Sequence, residues 1–171
     1  RWLSVFVCGL GMGFTAEDAL TAPRVESLII VERLAPVMGW HESGMVPLGK
    51  RLGDDPKCRF VESDFFQMAA GKAGFDPVES ARKFDAILLD IDHAPDFHLT
   101  PAHAGFYQPE GLVQLQQHLT DGGVFALWSN NPPDAAFTAV SYTPLTLPTT
   151  TPVSPSSVHR PSTPTTPRTR P

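Results

Sequence analysis

Leu3–Cys8 (LSVFVC) runs straight into Gly9-Leu10-Gly11-Met12-Gly13, which runs into Phe14–Thr21 (FTAEDALT). The first segment reads as a buried strand, and the last as a helix closed by Ala22-Pro23. Between them, three glycines at alternate positions let the backbone turn sharply. They also let a ligand approach the loop amides, beside the positive end of the following helix. A glycine pattern alone is weakly specific, and its meaning here comes from the strand before it and the helix after it.

The same alternation continues outward from this unit. Residues 27–32 (SLIIVE) predict a second strand, a β-branched run of the kind buried on both faces of a parallel sheet. Residues 36–52 predict a helix interrupted at Gly44 and Pro47. Cys58–Glu62 (CRFVE) predicts a third strand, followed by a short helix over residues 64–70. Residues 84–90 (FDAILLD) predict a fourth strand, and residues 109–119 a helix with Leu112, Leu115 and Leu119 on one face. Asp121-Gly122-Gly123 then predicts a turn before a fifth strand over residues 124–129 (VFALWS). Alternating strands and helices imply right-handed crossovers, hence a doubly wound, mostly parallel α/β sheet of Rossmann type.

Composition sets the outer bounds. The chain has 171 residues, 42% of them hydrophobic, with a formal charge of -5. All 18 acids lie at or before Asp134, so residues 1–140 carry a charge of -8. An acidic body disfavours nucleic acid as a partner and suits a cationic substrate such as a polyamine. No apolar run approaches the roughly 18 residues that cross a bilayer. Cys8 and Cys58 are expected to be reduced core thiols of a cytoplasmic protein.

From about residue 140 the composition changes. Ser, Thr and Pro supply 22 of residues 141–171, and no acid occurs there. Such a stretch buries too little apolar surface to offset its ordering entropy, which predicts a domain over residues 1–139 and a disordered tail over 140–171. Residues 140–150 (VSYTPLTLPTT) also closely resemble a translated sequencing-library adapter, so the tail is expected to be an artefact. The chain opens at Arg1, without an initiator Met, almost directly on a strand. The domain is therefore expected to be truncated at both ends.

Four strand ends carry the candidate chemistry. Gly9, Gly11 and Gly13 follow the first strand. Glu32 ends the second, 19 positions beyond Gly13, where an acid can accept hydrogen bonds from both ribose hydroxyls. Asp64 and Phe65 follow the third, where the acid could reach an adenine amine and the ring could border the base. Asp90 and Asp92 follow the fourth, where one carboxylate could take a proton and the other bind a cationic amine. The Gly-x-Gly-x-Gly spacing leans away from a nicotinamide dinucleotide, and the loop together with Glu32, Asp64 and Asp90 points to an S-adenosylmethionine-type cofactor.

His93, His98 and His103 recur every five residues near Asp90, Asp92 and Asp96. That spacing shares no helical face, and Pro95 and Pro101 make the stretch a loop, so no metal site is expected. A loop over the cleft is expected instead, with one histidine near substrate. Trp40-His41-Glu42 reads as helix surface with a partly buried Trp, and Tyr107 as packing at a helix start. Trp128-Ser129-Asn130-Asn131 ends the fifth strand at the ligand edge as a loop or a substrate contact.

Taken together, Gly9–Leu20 (GLGMGFTAEDAL), Ile30-Val31-Glu32, Glu62-Ser63-Asp64, FDAILLD at 84–90, Phe106-Tyr107 and LTDGGV at 119–124 resemble the spermidine synthases, the polyamine aminopropyltransferases. The resemblance covers about residues 3–139 and is nearest to the bacterial spermidine-synthase-like proteins. It implies a methyltransferase-like fold and transfer of an aminopropyl group from decarboxylated S-adenosylmethionine to putrescine. By position, Gly9, Gly11 and Gly13 would line the methionine-derived part of the donor, Glu32 would bind ribose, Asp64 adenine, and Asp90 would be the base. The partner implied is a small-molecule amine, with a homodimer expected of the full-length protein. Met12 stands where the family carries an acid, and Asp-Ile-Asp-His at 90–93 where it carries Asp-Ser-Ser-Asp. A methyltransferase using intact S-adenosylmethionine and a non-catalytic nucleotide-binding relative are the alternatives.

Overall fold

The computed structural model describes residues 1–132 and 135–142. Five strands, β1 (Leu3–Cys8), β2 (Val25–Glu32), β3 (Cys58–Glu62), β4 (Phe84–Leu89) and β5 (Leu119–Leu127), form one sheet in the order β3-β2-β1-β4-β5. Every pairing is parallel. Among the described residues, six helices accompany it: α1 (Phe14–Thr21), α2 (Ala35–Glu42), α3 (Gly49–Gly53), α4 (Phe65–Ala70), α5 (Pro109–Gln116) and α6 (Ala135–Tyr142). A 3-10 helix, Pro101–Tyr107, precedes α5.

Alternating side chains of the central strands feed two cores. Leu28 and Ile30 of β2 pack with Val5 and Val7 of β1 against Ala16, Leu20, Val37 and Leu52 from α1, α2 and α3. Ile29 and Val31 point the other way, joining Phe6, Phe65, Phe75, Ile87, Leu112 and Leu115 beside α4 and α5. Burial on both faces is why these strands read as unbroken apolar runs. The helices after β1 and β2 thus cover one face, and those after β3 and β4 the other. The winding direction reverses between β1 and β4, and in such sheets a crevice opens beyond the strand carboxyl ends at that point.

Several boundaries differ from the expected ones. β2 begins at Val25, two residues early, and the helix expected over 36–52 is two, α2 and α3, parted around Gly44 and Pro47. α5 stops at Gln116, and β5 already starts at Leu119. Asp121-Gly122-Gly123 is therefore an irregularity inside a strand, with Gly122 at φ 74° and the register shifting between Phe84 and Ala86. Pairing to β4 on both sides of this kink overrides the local turn signal. α6 runs through Tyr142, past the composition change at 140, while residues 143–171 of the expected tail lie outside the described residues. Among the described residues, no helix is long and apolar enough to cross a membrane.

The connection from α4 to β4 is held by Asp76, which is only 4% exposed. Its carboxylate accepts hydrogen bonds from the amides of Val78 and Glu79 at 2.9 and 3.2 Å and from Arg82 Nη1 at 2.9 Å, and it pairs with Arg59 Nη2 at 2.7 Å. Burial pushes the Asp76 pKa up, but Arg82, the two amides and Arg59 outweigh it and bring it down to about 2. A carboxyl whose pKa is depressed by folding stabilises the fold above its unfolded pKa, and that contribution fades as pH falls through the folded one. Asp76→Asn is therefore expected to cost about 2 kcal/mol at pH 7, a deficit that shrinks between about pH 4 and pH 2. Urea unfolding across that range checks it, and a deficit independent of pH would contradict the assignment.

Candidate functional site

A cleft of about 480 Å3 opens at the carboxyl ends of β1 to β4. Its walls include Gly9 and Gly11 after β1, Glu32 and Leu34 after β2, Asp64 to Phe66 after β3, and Asp90 after β4. Six of the eight expected site residues therefore share one cavity. Gly13 and Asp92 do not line it.

The loop glycines serve different ends. Gly9 lies at φ 92°, and a Cβ there would sit 2.0 Å from the Asp90 carbonyl oxygen, so only glycine lets β1 and β4 close up. A Cβ on Gly11 would meet nothing within 4 Å, which leaves that backbone open to a ligand. Gly13, at φ 91°, caps α1, and a Cβ there would strike Leu52 Cδ1 at 2.6 Å. It faces α2 and α3 rather than the cavity.

His41 holds the loop from behind. Its Nε2 lies 2.9 Å from the Gly11 carbonyl, which can only accept, so Nε2 carries the hydrogen and donates it. The expected surface position is corrected for His41 alone, which is 1% exposed, while Trp40, at 43%, and Glu42 are exposed. Val37 and His41, four positions apart on α2, form its buried face.

Each acid of the cleft already has partners within the chain. Glu32 accepts from the Leu10 amide at 3.1 Å and the Leu34 amide at 2.8 Å, tying the glycine loop to the loop after β2. A carboxylate oxygen has a second lone pair, so Glu32 can still receive hydroxyl donors. Asp64 Oδ1 caps α4 by accepting from the Gln67 amide at 3.1 Å, and Oδ2 lies 3.5 Å from Arg33 Nη1. Asp90 Oδ2 accepts from Thr15 Oγ1 at 2.9 Å, a partner on α1 that no sequence spacing indicated. Phe65 lines the cleft but is 2% exposed, packed among Phe6, Phe75 and Phe106.

Asp92 is buried one layer back. Its carboxylate accepts hydrogen bonds from the Leu99 amide at 2.8 Å, the Tyr107 hydroxyl at 2.9 Å and His103 Nδ1 at 2.9 and 3.0 Å. Tyr107 does pack at a helix start, but as a donor in this buried network. The three histidines part company. His93 stacks on Phe97, His98 stacks on Tyr107, and His103 lines the cleft. Among the described residues, no three His, Cys, Asp or Glu side chains gather as a ligand set.

Cys8 also lines the cleft, and burial, followed by the nearby Glu32 charge, raises its thiol pKa well above the ordinary value. Burial pushes Cys58 up to about 12. Both are free thiols, and neither is a thiolate nucleophile at neutral pH. Trp128 stands 59% exposed outside the cleft walls, its amide donating to the Leu89 carbonyl.

No protein-family model and no curated protein matches the sequence. Among solved structures, the chain is similar to the spermidine synthase from Thermotoga maritima, with a TM-score of 0.58 and 20% identity. That match covers 84% of this chain and 44% of the other. A spermidine synthase in complex with the transition state analogue AdoDATO matches at a TM-score of 0.57 and 20% identity, over 84% of this chain and 43% of that one. The chain thus spans less than half the length of these two proteins. The strand order, the winding reversal and these likenesses together show that the chain has the doubly wound, Rossmann-like fold of these two spermidine synthases.

Proposed function

We propose that this chain carries the donor site of an aminopropyltransferase-like enzyme, which moves an aminopropyl group from decarboxylated S-adenosylmethionine to an amine such as putrescine. The carrying observation is the meeting of Gly11, Glu32, Asp64 and Asp90 in one cleft at the winding reversal. The donor brings a positively charged sulfur, whose displacement from carbon leaves a neutral thioether and needs no acid. The chain's residues then have three tasks: hold the nucleoside, align the amine and take its proton.

The residues fit those tasks. Glu32 offers its remaining lone pairs to ribose hydroxyls, and Asp64 offers Oδ2 to an adenine amine. The open backbone at Gly11 admits the chain that bears the sulfur. Asp90, with Oδ2 bound by Thr15, keeps Oδ1 for the amine's N–H and its proton. Three carboxylates along the walls also suit a cationic donor and a cationic acceptor. Methyl transfer from intact S-adenosylmethionine is the second reading, favoured by Met12 in place of the family's acid.

Calorimetry with both donors is the test. Decarboxylated S-adenosylmethionine is expected to bind more tightly than the intact form; tighter binding of the intact form would select the methyltransferase reading, and binding of neither would sink both. Asp90→Asn is expected to leave donor affinity within about twofold and to lower transfer about a hundredfold. Unchanged transfer would remove Asp90 as the base.

A further inference from the structure

The cleft holds one oriented group that the proposed reaction has not used. His103 sits on the 3-10 helix, Pro101–Tyr107, with 9% of its side chain exposed, and contributes to the cleft wall beside Leu99 and Thr100. Phe66 stacks on its ring with centroids 3.7 Å apart and planes 21° from parallel, so the imidazole cannot tilt freely. Its Nδ1 faces Asp92 at 2.9 and 3.0 Å.

Asp92 settles which nitrogen bears the hydrogen. An ionised carboxylate only accepts, so Nδ1 donates and the neutral ring keeps its lone pair on Nε2. The other Asp92 partners support that ionised state. The Leu99 amide donates at 2.8 Å, and the Tyr107 hydroxyl donates at 2.9 Å. Burial, then the Asp92 charge, pushes the Tyr107 pKa well up, so this phenol remains a donor. A buried carboxylate held by three different donors is well compensated. Among the described residues, Nε2 has no hydrogen-bond partner. The result is an imidazole with one nitrogen locked behind the wall and its acceptor nitrogen left for the cleft.

We propose that His103 Nε2 accepts an N–H of the attacking amine and orients its lone pair, with Asp92 as a positioning residue, making the site selective for amines whose ammonium carries at least two N–H bonds over tertiary amines. The inference rests on the transferase reading of the cleft. A primary ammonium carries three N–H bonds. One proton passes to Asp90 and exposes the lone pair, while a second N–H donates to His103 Nε2. The lone pair then forms the new N–C bond as the C–S bond breaks, its electron pair going to sulfur. The product is a secondary ammonium and a neutral thioether, with one proton left on Asp90. A tertiary amine has too few N–H bonds to satisfy both residues.

Nitrogen-15 NMR of the histidine-labelled chain tests this without a variant. His103 is expected as the Nδ1–H tautomer, and putrescine is expected to shift its Nε2 signal. An Nε2–H tautomer, or an Nε2 signal unmoved by saturating putrescine, would overturn the proposal. Asp92→Asn should swing the ring to the Nε2–H tautomer, because the amide can donate to Nδ1, and weaken putrescine binding about tenfold or more. His103→Asn, which can still donate to Asp92, should do the same while leaving donor affinity within about twofold. Unchanged putrescine affinity in both variants would also overturn it. N,N,N′,N′-tetramethylputrescine should bind the wild type more weakly than putrescine, and both His103→Asn and Asp92→Asn should narrow that gap; equal binding of the two amines by the wild type would contradict the selectivity. The two readings fail differently: donor binding with an unmoved Nε2 removes the His103 role alone, whereas a moved Nε2 without donor binding removes the donor reading and the attack with it, leaving only an amine contact.

Discussion

Gly9→Ala is expected to destabilise the domain by about 3–5 kcal/mol, the largest effect of any single methyl in this fold. The new Cβ would lie 2.0 Å from the Asp90 carbonyl oxygen and 2.9 Å from the carbonyl carbon, and both are backbone atoms. No rotamer change relieves such a clash. The strands cannot part locally either, because Val5 to Cys8 pair in register with Ala86 to Leu89, and the Asp90 amide donates to the Cys8 carbonyl at 2.8 Å. A φ of 92° adds strain for any residue with a side chain. Gly11→Ala is the matched control. It also has positive φ, 47°, but open space around its Cβ, so it should cost only about 1 kcal/mol. Urea unfolding of both variants measures the contrast, and a Gly9→Ala loss no larger than that of Gly11→Ala would refute the steric account. Since small domains are stable by about 5–15 kcal/mol in total, Gly9→Ala removes a large share of the folding free energy.

Asp92→Ala ranks second, at about 3–4 kcal/mol. It strands three donors at once: the His103 Nδ1–H, the Tyr107 hydroxyl and the Leu99 amide. His103 and Tyr107 are 7% and 3% exposed, so water cannot readily replace the lost acceptor. Asp92→Asn keeps one acceptor oxygen and the volume, and should cost about 1–2 kcal/mol. The damage should be local first, because the network joins the loop before the 3-10 helix to the helix itself. Hydrogen exchange over residues 93–107 should rise in Asp92→Ala well before global unfolding. Protection unchanged in that stretch, with stability near wild type, would show that the carboxylate is not the anchor described.

The fold was legible in the sequence because its signals are local. Unbroken apolar runs at 5–8, 28–31 and 86–89 mark strands covered on both faces, and the helical patterns between them leave only a wound parallel sheet. The strand-end acids were legible for the same reason: in such a sheet every carboxyl end opens towards one edge, so Glu32, Asp64 and Asp90 had to converge. Local signals failed where a distant pairing outweighed them. Asp121-Gly122-Gly123 carries turn chemistry, yet β4 holds residues on both sides of it in one strand.

The sheet, its edge and three of the carboxylates on it thus follow from local patterns along the chain. Which loop residues face the cleft is set instead by packing between distant elements. Past the end of a strand, a side chain's direction no longer follows a fixed period and is set by whatever packs against it. Gly13 turns to Leu52, and Asp92 turns inward to Tyr107, while His103 takes the place at the wall that spacing had offered to Asp92. Thr15 reaches Asp90 from 75 residues away, and His41 reaches the Gly11 carbonyl from 30. The Thr15 contact joins elements brought together by the winding reversal between β1 and β4, and the His41 contact joins the β1 loop to a helix packed on the same face of the sheet; no spacing within any of these segments encodes them.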